Sequence, residues 1–505
     1  MRRGITDLIY ILTAIFLIAG MSGCLNSNSI SKSNVSSKIN QRHIIQTPID
    51  GQISITPALA NNHDSDIHKI KHIVIIMQEN RAFDHYFGTY PGVEGIPMNK
   101  GVPTVCSPDQ DTGNCIQPFH SVKDKNEGGP HGASNNVADI NGGKMDGFVE
   151  QQNTARKTSC EKDVNPQCTA KQDPNISGLP DVMSYHDRGE IPNYWTYADN
   201  FVLQDHMFAS AASWSLPNHL FLISEWSAKC KSLDPESCQN ELANPQSLTF
   251  PQKNKNGSII QPNYAWTDIT YLLYRNNVSW AYYLDEGYQP DCEDDSMSCN
   301  PKIQKVGVPQ IWNPLPWFET VRQDKQLGNI QPLGNIFAAA KDGTLPSVVW
   351  VIPNSVDSEH PPALVSRGQT YTTSIIDAIM NSPDWNNTAI FLAWDDWGGF
   401  YDHVVPPKMD ENGYGIRVPG LVISPYAKKG YIDHQTLSFD AFTKFIEDDF
   451  LGGARIDPKT DGRPDRRPTV RENASELGDL LQDFDFNQQP RPPLILDIYP
   501  KTDLK

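Results

Sequence analysis

The feature that most constrains this chain is a set of short apolar segments, each of which stops abruptly at polar or charged residues. Four of them are HIVIIM (72–77), SVVWVI (347–352), TAIFLAW (388–394) and GLVIS (420–424). They are rich in β-branched residues and lack apolar–polar alternation, which is typical of strands buried on both faces. These segments therefore predict a central sheet that is covered on both sides.

Helical patterns separate the predicted strands. Examples are YTTSIIDAIMNS (371–382) and SFDAFTKFIEDDF (438–450), where Ser438 stands at the N-cap position before an apolar face. Strands that alternate with helices predict a layered α/β fold with a largely parallel central sheet flanked by helices. Ligands of such sheets bind beyond the carboxyl ends of the strands.

Length, composition and charge exclude some classes of protein. The chain has 505 residues, of which 38% are hydrophobic and 20% charged, and this composition is typical of a globular protein rather than a disordered one. Its net charge of −18 would repel a polyanion at long range. We therefore expect no nucleic-acid partner.

The first residues predict export. Arg2 and Arg3 precede IYILTAIFLIAG, and MSGC follows, which is the pattern of a secretory signal. Cys24 resembles the lipidated cysteine of a lipoprotein box, with an uncleaved membrane anchor as the alternative. We expect a signal peptide at 1–23 and a lipidated N-terminus with a flexible linker at 24–66. The protein would then be anchored to a membrane and face the periplasm or the cell exterior.

The remaining cysteines agree with export. Eight follow Cys24 and form four close pairs in segments rich in Pro, Asp, Asn and Ser. An even count in an exported chain predicts disulfides. Zinc binding is the alternative, but no C-x-x-C spacing occurs. The simplest pairing is local: Cys106–Cys115, Cys160–Cys168, Cys230–Cys238 and Cys292–Cys299.

Composition also divides the chain into segments. The segment 225–330 is rich in Asn, Pro, Asp, Tyr and Trp, and we predict that it forms a loop-rich insertion or cap over one edge of the sheet. It would belong to a main domain at 67–451. The tail at 452–505 is rich in Pro, Arg and Asp and is expected to pack against the core.

Acidic side chains follow three of the predicted strands. The residues concerned are Glu79, Asn80 and Arg81 after the first, Asp357, Glu359 and His360 after the second, and Asp395, Asp396 and His403 after the third. Buried acids repel one another unless a cation lies between them. Their oxygens would suit one divalent ion, namely Ca²⁺, Mg²⁺ or Mn²⁺, with Zn²⁺ as a further option. For any single acidic pair, the alternative to a metal site is that both carboxylates lie in a loop and are solvated.

Two more segments contain reactive side chains. PHGASNNVADINGGKMDGF (130–148) places His131 in a polar loop, and SAASWSLPNHLFLISEW (210–226) places Ser215 before a helical pattern. Ser215 is either an N-cap or a nucleophile at the positive end of that helix. The residues alone leave both interpretations open.

Six motifs, in this order, resemble the bacterial phospholipase C and acid phosphatase family of phosphoesterases, within the alkaline-phosphatase-like superfamily. They are HIVIIMQENRAFDHYFGTYPGVEG, GGKMDGF, SWSLPNHLFLIS, SEHPP, DDWGGFYDHVVPP and YGIRVPGLVISPYAKKGYIDH. The resemblance covers about 70–450. It implies an alkaline-phosphatase-like layered fold and metal-dependent hydrolysis of phosphoric esters through a phosphoserine.

The resemblance also implies roles for the residues at matching positions. The metal ligands would be Glu79, Asn80, Ser215, Asp395 and Asp396, with Ser215 as the nucleophile. His131 and His360 would contact phosphate or donate protons, Asn80 would help to neutralise the phosphoryl oxygens, and Arg81, His403 and Asn218 would support the site. Some relatives have a histidine before NPLP, where this chain has Trp312.

The expected substrate is a phospholipid or a small phosphate ester. Segments such as SWAYYLDEGY and WNPLPWF would suit the apolar approach of a lipid, unless their aromatic residues belong to the core. Phospholipase C is the predicted activity, and acid phosphatase is the alternative. The alternative among proteins that are not enzymes is a surface lipoprotein that binds a ligand without catalysis.

Overall fold

The structure, a computed structural model, describes residues 66–161, 178–246, 255–258, 261–291 and 301–505. The predicted signal peptide, Cys24 and residues 25–65 of the linker lie outside these residues, as do Cys168, Cys292 and Cys299, so the pairs Cys160–Cys168 and Cys292–Cys299 stay predictions. Within the described part of the chain, no helix combines the length and apolar composition needed to cross a membrane.

An eight-stranded sheet forms the centre of the molecule. Its strands, in chain order, are β1 His72–Gln78, β2 Val202–Gln204, β3 Trp280–Leu284, β4 Ile330–Pro332, β5 Val348–Ile352, β6 Thr388–Trp394, β7 Gly420–Ile423 and β8 Tyr431–Asp433. Across the sheet the order is β4-β3-β5-β1-β6-β7-β2-β8. Strand β7 is antiparallel to β6 and β2, and the other neighbouring strands are parallel. The prediction of a largely parallel sheet is therefore confirmed.

Helices account for the alternation predicted from the sequence. The described α-helices are α1 Phe83–Phe87, α2 Ala133–Ile140, α3 Phe148–Glu161, α4 Pro192–Asn200, α5 Ser215–Ser224, α6 Ile269–Arg275, α7 Glu319–Gln323, α8 Gly334–Asp342, α9 Val365–Met380 and α10 Phe439–Phe450. The Ser438 hydroxyl caps α10 by accepting a hydrogen bond from the Asp440 backbone N–H. The apolar face of α10 is buried, as the spacing of its apolar residues predicts.

The pairing register of β1 and β6 decides which residues lie next to each other at the candidate site. Both strands are almost wholly buried, because neighbouring elements cover both faces of the sheet. Gln78 lies opposite Trp394 at the carboxyl ends of these two parallel strands. The residues that follow, 79–81 and 395–396, therefore emerge side by side at one edge of the sheet.

The segment 225–330 requires a correction. We predicted an insertion or cap, but Trp280–Leu284 is the central-sheet strand β3, which pairs with β5. All five residues of β3 are buried. The Asn- and Pro-rich sequence around the strand concealed it, since composition averaged over a long window hides one short strand. The boundaries of the domains stay predictions.

Two of the predicted disulfides lie within the described residues. Cys106 is bonded to Cys115, and Cys230 is bonded to Cys238. Both bonds join the strands of small two-stranded sheets or their immediate ends. The local pairing predicted from the spacing is confirmed for these two pairs.

Candidate active site

Asn80 is the centre of the candidate site. Its backbone has φ +58°, a left-handed conformation that asparagine tolerates better than most residues. In this conformation its backbone N–H donates to Asp395 Oδ1 at 2.9 Å, and its side-chain Nδ2 donates to Asp396 Oδ1 at 3.2 Å. Because a carboxylate can only accept, the amide nitrogen faces Asp396 and leaves Asn80 Oδ1 free for another partner.

The glycine pair after Asp396 permits close contact with the first strand. Gly398 has φ +59°, and a Cβ there would lie 2.5 Å from the Asn80 carbonyl oxygen. Gly398 N–H also donates to Asp396 Oδ1 at 2.7 Å, which fixes the orientation of that carboxylate. The backbone can therefore hold Asn80 and Asp396 together only because no side chain intervenes.

Ser215 is the first residue of α5, and Trp214 is the N-cap, so the N-cap interpretation of Ser215 is wrong. The Ser215 hydroxyl donates instead to Asp396 Oδ2 at 3.1 Å. Asn218, one turn further on, accepts from the Ala211 N–H and donates to the Ser213 and Trp214 carbonyls. Asn218 thus holds the loop before α5 and positions Ser215 without touching Asp396.

A buried group that includes His219 lies beside Ser215. Ligand atoms of Glu79, His219 and Asp395 lie within 4.8 Å of one another. His219 Nε2 is 3.1 Å from Glu79 Oε1 and 3.8 Å from Asp395 Oδ2. We did not predict His219 as a site residue, although its position four residues after Ser215 places both side chains on one helix face.

A second buried group contains the two predicted histidines. Asp291 Oδ1 lies 3.7 Å from His131 Nε2 and 3.8 Å from His360 Nε2. His131 Nε2 also lies 3.0 Å from Asn80 Nδ2, which joins this group to the first. Asp291 was not predicted either, since it follows no apolar strand and stands next to a cysteine in a polar segment.

The electrostatics of the site show an excess of negative charge. Burial, and then the Asp395 carboxylate, raise the pKa of Glu79 well above its usual range, and the same two causes raise the pKa of Asp396. Burial opposes the protonated form of His131, but Asp396 and Asp291 outweigh it and raise the pKa of His131 to about 10. A cation between these carboxylates would offset their repulsion.

Two supporting residues lie elsewhere than predicted. The Arg81 guanidinium donates to the Glu359 carbonyl and to Asn126 Oδ1, so it braces the loop before His360 rather than Glu79 and Asn80. His403 Nδ1 lies 2.7 Å from Asp84 Oδ2, in a separate network with Arg417. The long Arg81 side chain reaches past the site, and His403 follows the end of β6 by nine residues, so the polar atoms of both lie elsewhere.

Trp312 lies between the two groups. Its ring centroid is 6.4 Å from that of His219 and 5.9 Å from that of His360, and the side chain is wholly buried. Most other aromatic residues of SWAYYLDEGY and WNPLPWF, including Trp280, Tyr282 and Trp317, are also buried in the core. These aromatic residues therefore do not form an apolar approach for a lipid.

Buried oxygens without hydrogen-bond partners indicate whether these residues could hold a metal ion. Glu79 Oε2, Asn80 Oδ1 and Asp395 Oδ2 are buried, and none of them has a hydrogen-bond partner within the described structure. Leaving such atoms unsatisfied is costly in a protein interior. Two carboxylates, an amide oxygen and the His219 imidazole form a donor set that a divalent ion would accept. The residues therefore fit a metal ion.

A family comparison decides the affiliation of the chain. A model described as "Phosphoesterase family" matches residues 70–451, which is most of the sequence. The chain belongs to the phosphoesterase family. This confirms the resemblance seen in the motifs, and the matched region includes every predicted catalytic and metal-binding residue from Glu79 to Asp396.

Relatives in this family bear phospholipase names. The chain is 27% identical over 485 residues to "Non-hemolytic phospholipase C" of Burkholderia pseudomallei, covering 85% of this chain and 61% of that protein. It is 26% identical over 488 residues to "Phospholipase C B" of Mycobacterium tuberculosis, covering 84% and 79%. The chain therefore spans less than two thirds of the length of the first of these relatives.

Solved structures give a weaker likeness. One is described as a protein in the alkaline phosphatase superfamily from Vibrio parahaemolyticus, with a TM-score of 0.31 and 11% identity. That match covers 56% of this chain and 65% of the other. Since the TM-score is low, the assignment of the family rests on the sequence match.

Proposed function

We propose that this phosphoesterase is an exported, metal-dependent phospholipase C that acts through a phosphoserine at Ser215. The observation that carries the proposal is the Ser215 hydroxyl, 3.1 Å from Asp396, at the start of a helix and beside buried oxygens without partners. A hydroxyl in that position can attack phosphorus. The phospholipase C names of the relatives support this choice of activity.

The metal site would use residues from three elements. Glu79 and Asn80 would contribute from the end of β1, Asp395 and Asp396 from the end of β6, and Ser215 from the start of α5. His219 is added to the predicted set because it lies 3.1 Å from Glu79. When bound, a divalent ion supplies positive charge that favours the serine alkoxide and neutralises phosphoryl oxygens.

The chain's own residues account for the transfer of the phosphoryl group. Ser215 Oγ forms a bond to phosphorus as the bond from phosphorus to the leaving alcohol breaks, and the hydroxyl proton passes toward Asp396. His131 or His360 gives a proton to the leaving oxygen. Water then hydrolyses the phosphoserine, and Ser215 regains its proton. Asn80 Nδ2, held by Asp396, can also donate to a phosphoryl oxygen.

Ser215→Ala tests the nucleophile. We expect turnover of phosphatidylcholine to fall by at least about a thousandfold, because a nucleophile that forms a covalent intermediate is removed. Ser213→Ala is the matched control, since this hydroxyl lies in the same loop and donates only to the Leu242 carbonyl at 2.8 Å. It should keep activity near that of the wild type. Ser215→Ala activity within about tenfold of wild type would contradict the assignment.

Substrate and metal are tested with the same preparation. Chelation should abolish turnover, and restoring a divalent ion should recover it. Hydrolysis of an aryl phosphomonoester in preference to phosphatidylcholine would identify an acid phosphatase instead. Absence of turnover on both substrates, with metal bound, would favour a surface lipoprotein that binds its ligand without catalysis. Export and lipidation at Cys24 are tested by labelling with a fatty acid and by Cys24→Ala.

A further inference from the structure

The side chains of His131, Asp291 and His360 lie together in the candidate active site, and we call these three residues the histidine group. One potential ligand atom from each lies within 4.8 Å of the other two. Their side chains are only 9%, 0% and 7% exposed. The three residues come from distant parts of the chain, so the tertiary fold assembles the group.

Hydrogen bonds fix which nitrogen of each histidine ring faces Asp291. His131 Nδ1 lies 2.9 Å from the Gly129 carbonyl oxygen. His360 Nδ1 lies 2.8 Å from the Pro361 carbonyl oxygen. Because a carbonyl oxygen can only accept, both Nδ1 atoms carry a hydrogen. Each neutral ring therefore has a lone pair on Nε2, which is the arrangement of a histidine that binds a metal ion.

The surroundings of each Nε2 agree with a lone pair there. Asn80 Nδ2 donates to Asp396 and lies 3.0 Å from His131 Nε2, so its second hydrogen meets an acceptor. Asp396 and Asp291 raise the pKa of His131, but an ion would offset their charge and leave the ring neutral. His360 Nε2 is buried and has no hydrogen-bond partner among the described residues. Such an atom costs free energy unless another group binds it.

The distances from Asp291 favour a shared ion over a direct ion pair. Asp291 Oδ1 is 3.7 Å from His131 Nε2 and 3.8 Å from His360 Nε2. A charge-assisted hydrogen bond would shorten such a distance to about 2.7–2.9 Å. Ligands that lie about 2.1 Å from one ion at tetrahedral angles are about 3.4 Å apart, which is close to the observed separations.

The donor set of the histidine group selects the class of ion. Two imidazole nitrogens and one carboxylate oxygen suit Zn²⁺ or another first-row transition metal. Ca²⁺ and Mg²⁺ prefer ligand sets made only of oxygen. Three protein ligands also leave a fourth position open, as in zinc sites that take part in catalysis.

We propose that the histidine group binds a second divalent ion, of the transition-metal class, beside the ion proposed at the ends of β1 and β6. The two sites adjoin, since His131 Nε2 lies 3.9 Å from Asp396 Oδ2. An imidazole whose Nε2 binds an ion cannot donate a proton from that atom. The charge of the ion would then stabilise the leaving oxygen in place of the histidine proton. This role rests on the proposed function, whereas the binding of the ion does not.

Metal content tests the proposal, because it can be measured without turnover. The full chain is dialysed against Zn²⁺, and tightly bound zinc is counted by elemental analysis and titration calorimetry. We expect two ions per chain in the wild type. His360→Asn keeps a donor for the Pro361 carbonyl but has no counterpart of Nε2. It should lower the affinity for the second ion by at least about a hundredfold. Asp291→Asn, which keeps the shape and removes the charge, should do the same.

His72→Asn is the matched control. His72 Nδ1 also lies 3.1 Å from a backbone carbonyl, that of Pro346, and its Nε2 lies 3.8 Å from Asp384 Oδ1. This pair belongs to no group of three potential ligands within the described part of the chain. His72 begins β1, at the end of the strand away from the candidate site. The variant should therefore retain both ions.

The remaining outcomes separate this proposal from the proposed function. A single tight ion in the wild type that His360→Asn retains would overturn the second site, as would two ions retained by both variants. Loss of turnover in His360→Asn without loss of an ion would leave His360 as a proton donor only. An ion at the histidine group with none at Glu79 would support this proposal and refute the proposed metal site. Thermal unfolding in chelator checks that each variant folds, and if one does not, the other decides.

Discussion

At the scale of residues, charge decides what the site can bind. Glu79 and Asp395 are buried within 4.8 Å of each other, and each has an oxygen without a hydrogen-bond partner in the described structure. Two carboxylates in that position repel each other in the empty site and attract a cation strongly. Removing one charge should therefore have opposite effects on metal affinity and on the stability of the metal-free protein.

Asp395→Asn should lower the affinity for a divalent ion by more than about tenfold, because a charged ligand becomes neutral. The variant keeps an oxygen that can accept from the Asn80 N–H. In chelator its melting temperature should equal or exceed that of the wild type, since repulsion from Glu79 is relieved. Metal titration by calorimetry and thermal unfolding check both parts. Unchanged affinity would show that Asp395 is not a metal ligand. Asp342→Asn is the control, because Asp342 is exposed at the end of α8, and it should change neither value.

His403 makes stability depend on pH. Burial lowers the pKa of His403, but the Asp84 carboxylate 2.7 Å away outweighs it and raises that pKa above its usual range. A raised folded-state pKa stabilises the protein below the unfolded value near 6.5, and this contribution is lost as pH rises through the folded value.

His403→Gln should therefore lower the free energy of unfolding more at pH 6 than at pH 9, measured by urea denaturation. His434→Gln is the control, because His434 pairs with Asp205 at 2.9 Å but its side chain is 62% exposed. Because water screens this exposed imidazole, although Asp205 itself is buried, the pair should contribute less than the His403 pair at either pH. A penalty for His403→Gln that is equal at both values would show that His403 acts through packing alone.

At the scale of elements, the loop after β6 needs glycine because its backbone packs directly against the backbone of another loop. Gly399 has φ +73°, and a Cβ there would lie 2.4 Å from the Gly129 Cα. Gly129 belongs to the loop that leads to His131, so this contact sets the distance between the two loops. A side chain at residue 399 would push the His131 loop away from Asn80.

Gly399→Ala should lower the free energy of unfolding by at least about 2 kcal/mol and reduce turnover, because backbone atoms cannot yield as a flexible side chain would. Gly452→Ala is the matched control. Gly452 has φ +62° but meets no atom within 4 Å, so it suffers only the conformational strain, about 1 kcal/mol. Urea denaturation gives both values. Equal losses for the two variants would mean that the close contact contributes nothing.

At the scale of the whole molecule, the last residues join elements that are distant in the chain. Their backbone hydrogen bonds to other elements are Asn193 Nδ2 to Asp497 O, Thr370 Oγ1 to Ile498 O, Asp503 N to Gly189 O, Lys505 N to Val122 O, and Asp124 N to Lys505 O. These bonds connect the tail to α4, α9 and the segment before His131. Residues 497–505 therefore contact these elements through backbone hydrogen bonds.

Deleting residues 497–505 should lower the free energy of unfolding by about 2.5–7.5 kcal/mol, because five hydrogen bonds are lost and each contributes about 0.5–1.5 kcal/mol. Metal affinity should stay unchanged, since none of these bonds involves the candidate ligands. Tyr499→Ser keeps the backbone bonds and removes a side chain that is 73% exposed, so its effect should stay within about 0.5 kcal/mol. A deletion no worse than Tyr499→Ser would contradict this role of the tail.

The sequence by itself determined the strands and where their polar ends lie. HIVIIM and TAIFLAW could hardly be anything but buried strands, and a parallel sheet brings their carboxyl ends to one edge. Glu79, Asn80, Asp395 and Asp396 were therefore predictable as neighbours from local pattern alone. The N-cap of α10 and the pairing of Cys106 with Cys115 were equally local, and both agree with the structure.

Only the tertiary structure decided which other side chains complete the site. His219 and Asp291 reach it because the fold brings α5 beside Glu79 and brings Asp291 beside His131, and no local pattern records these contacts. The same holds for β3, whose five buried residues became a sheet strand through pairing with β5. Contacts between residues far apart in sequence depend on register and packing, so local composition cannot specify them.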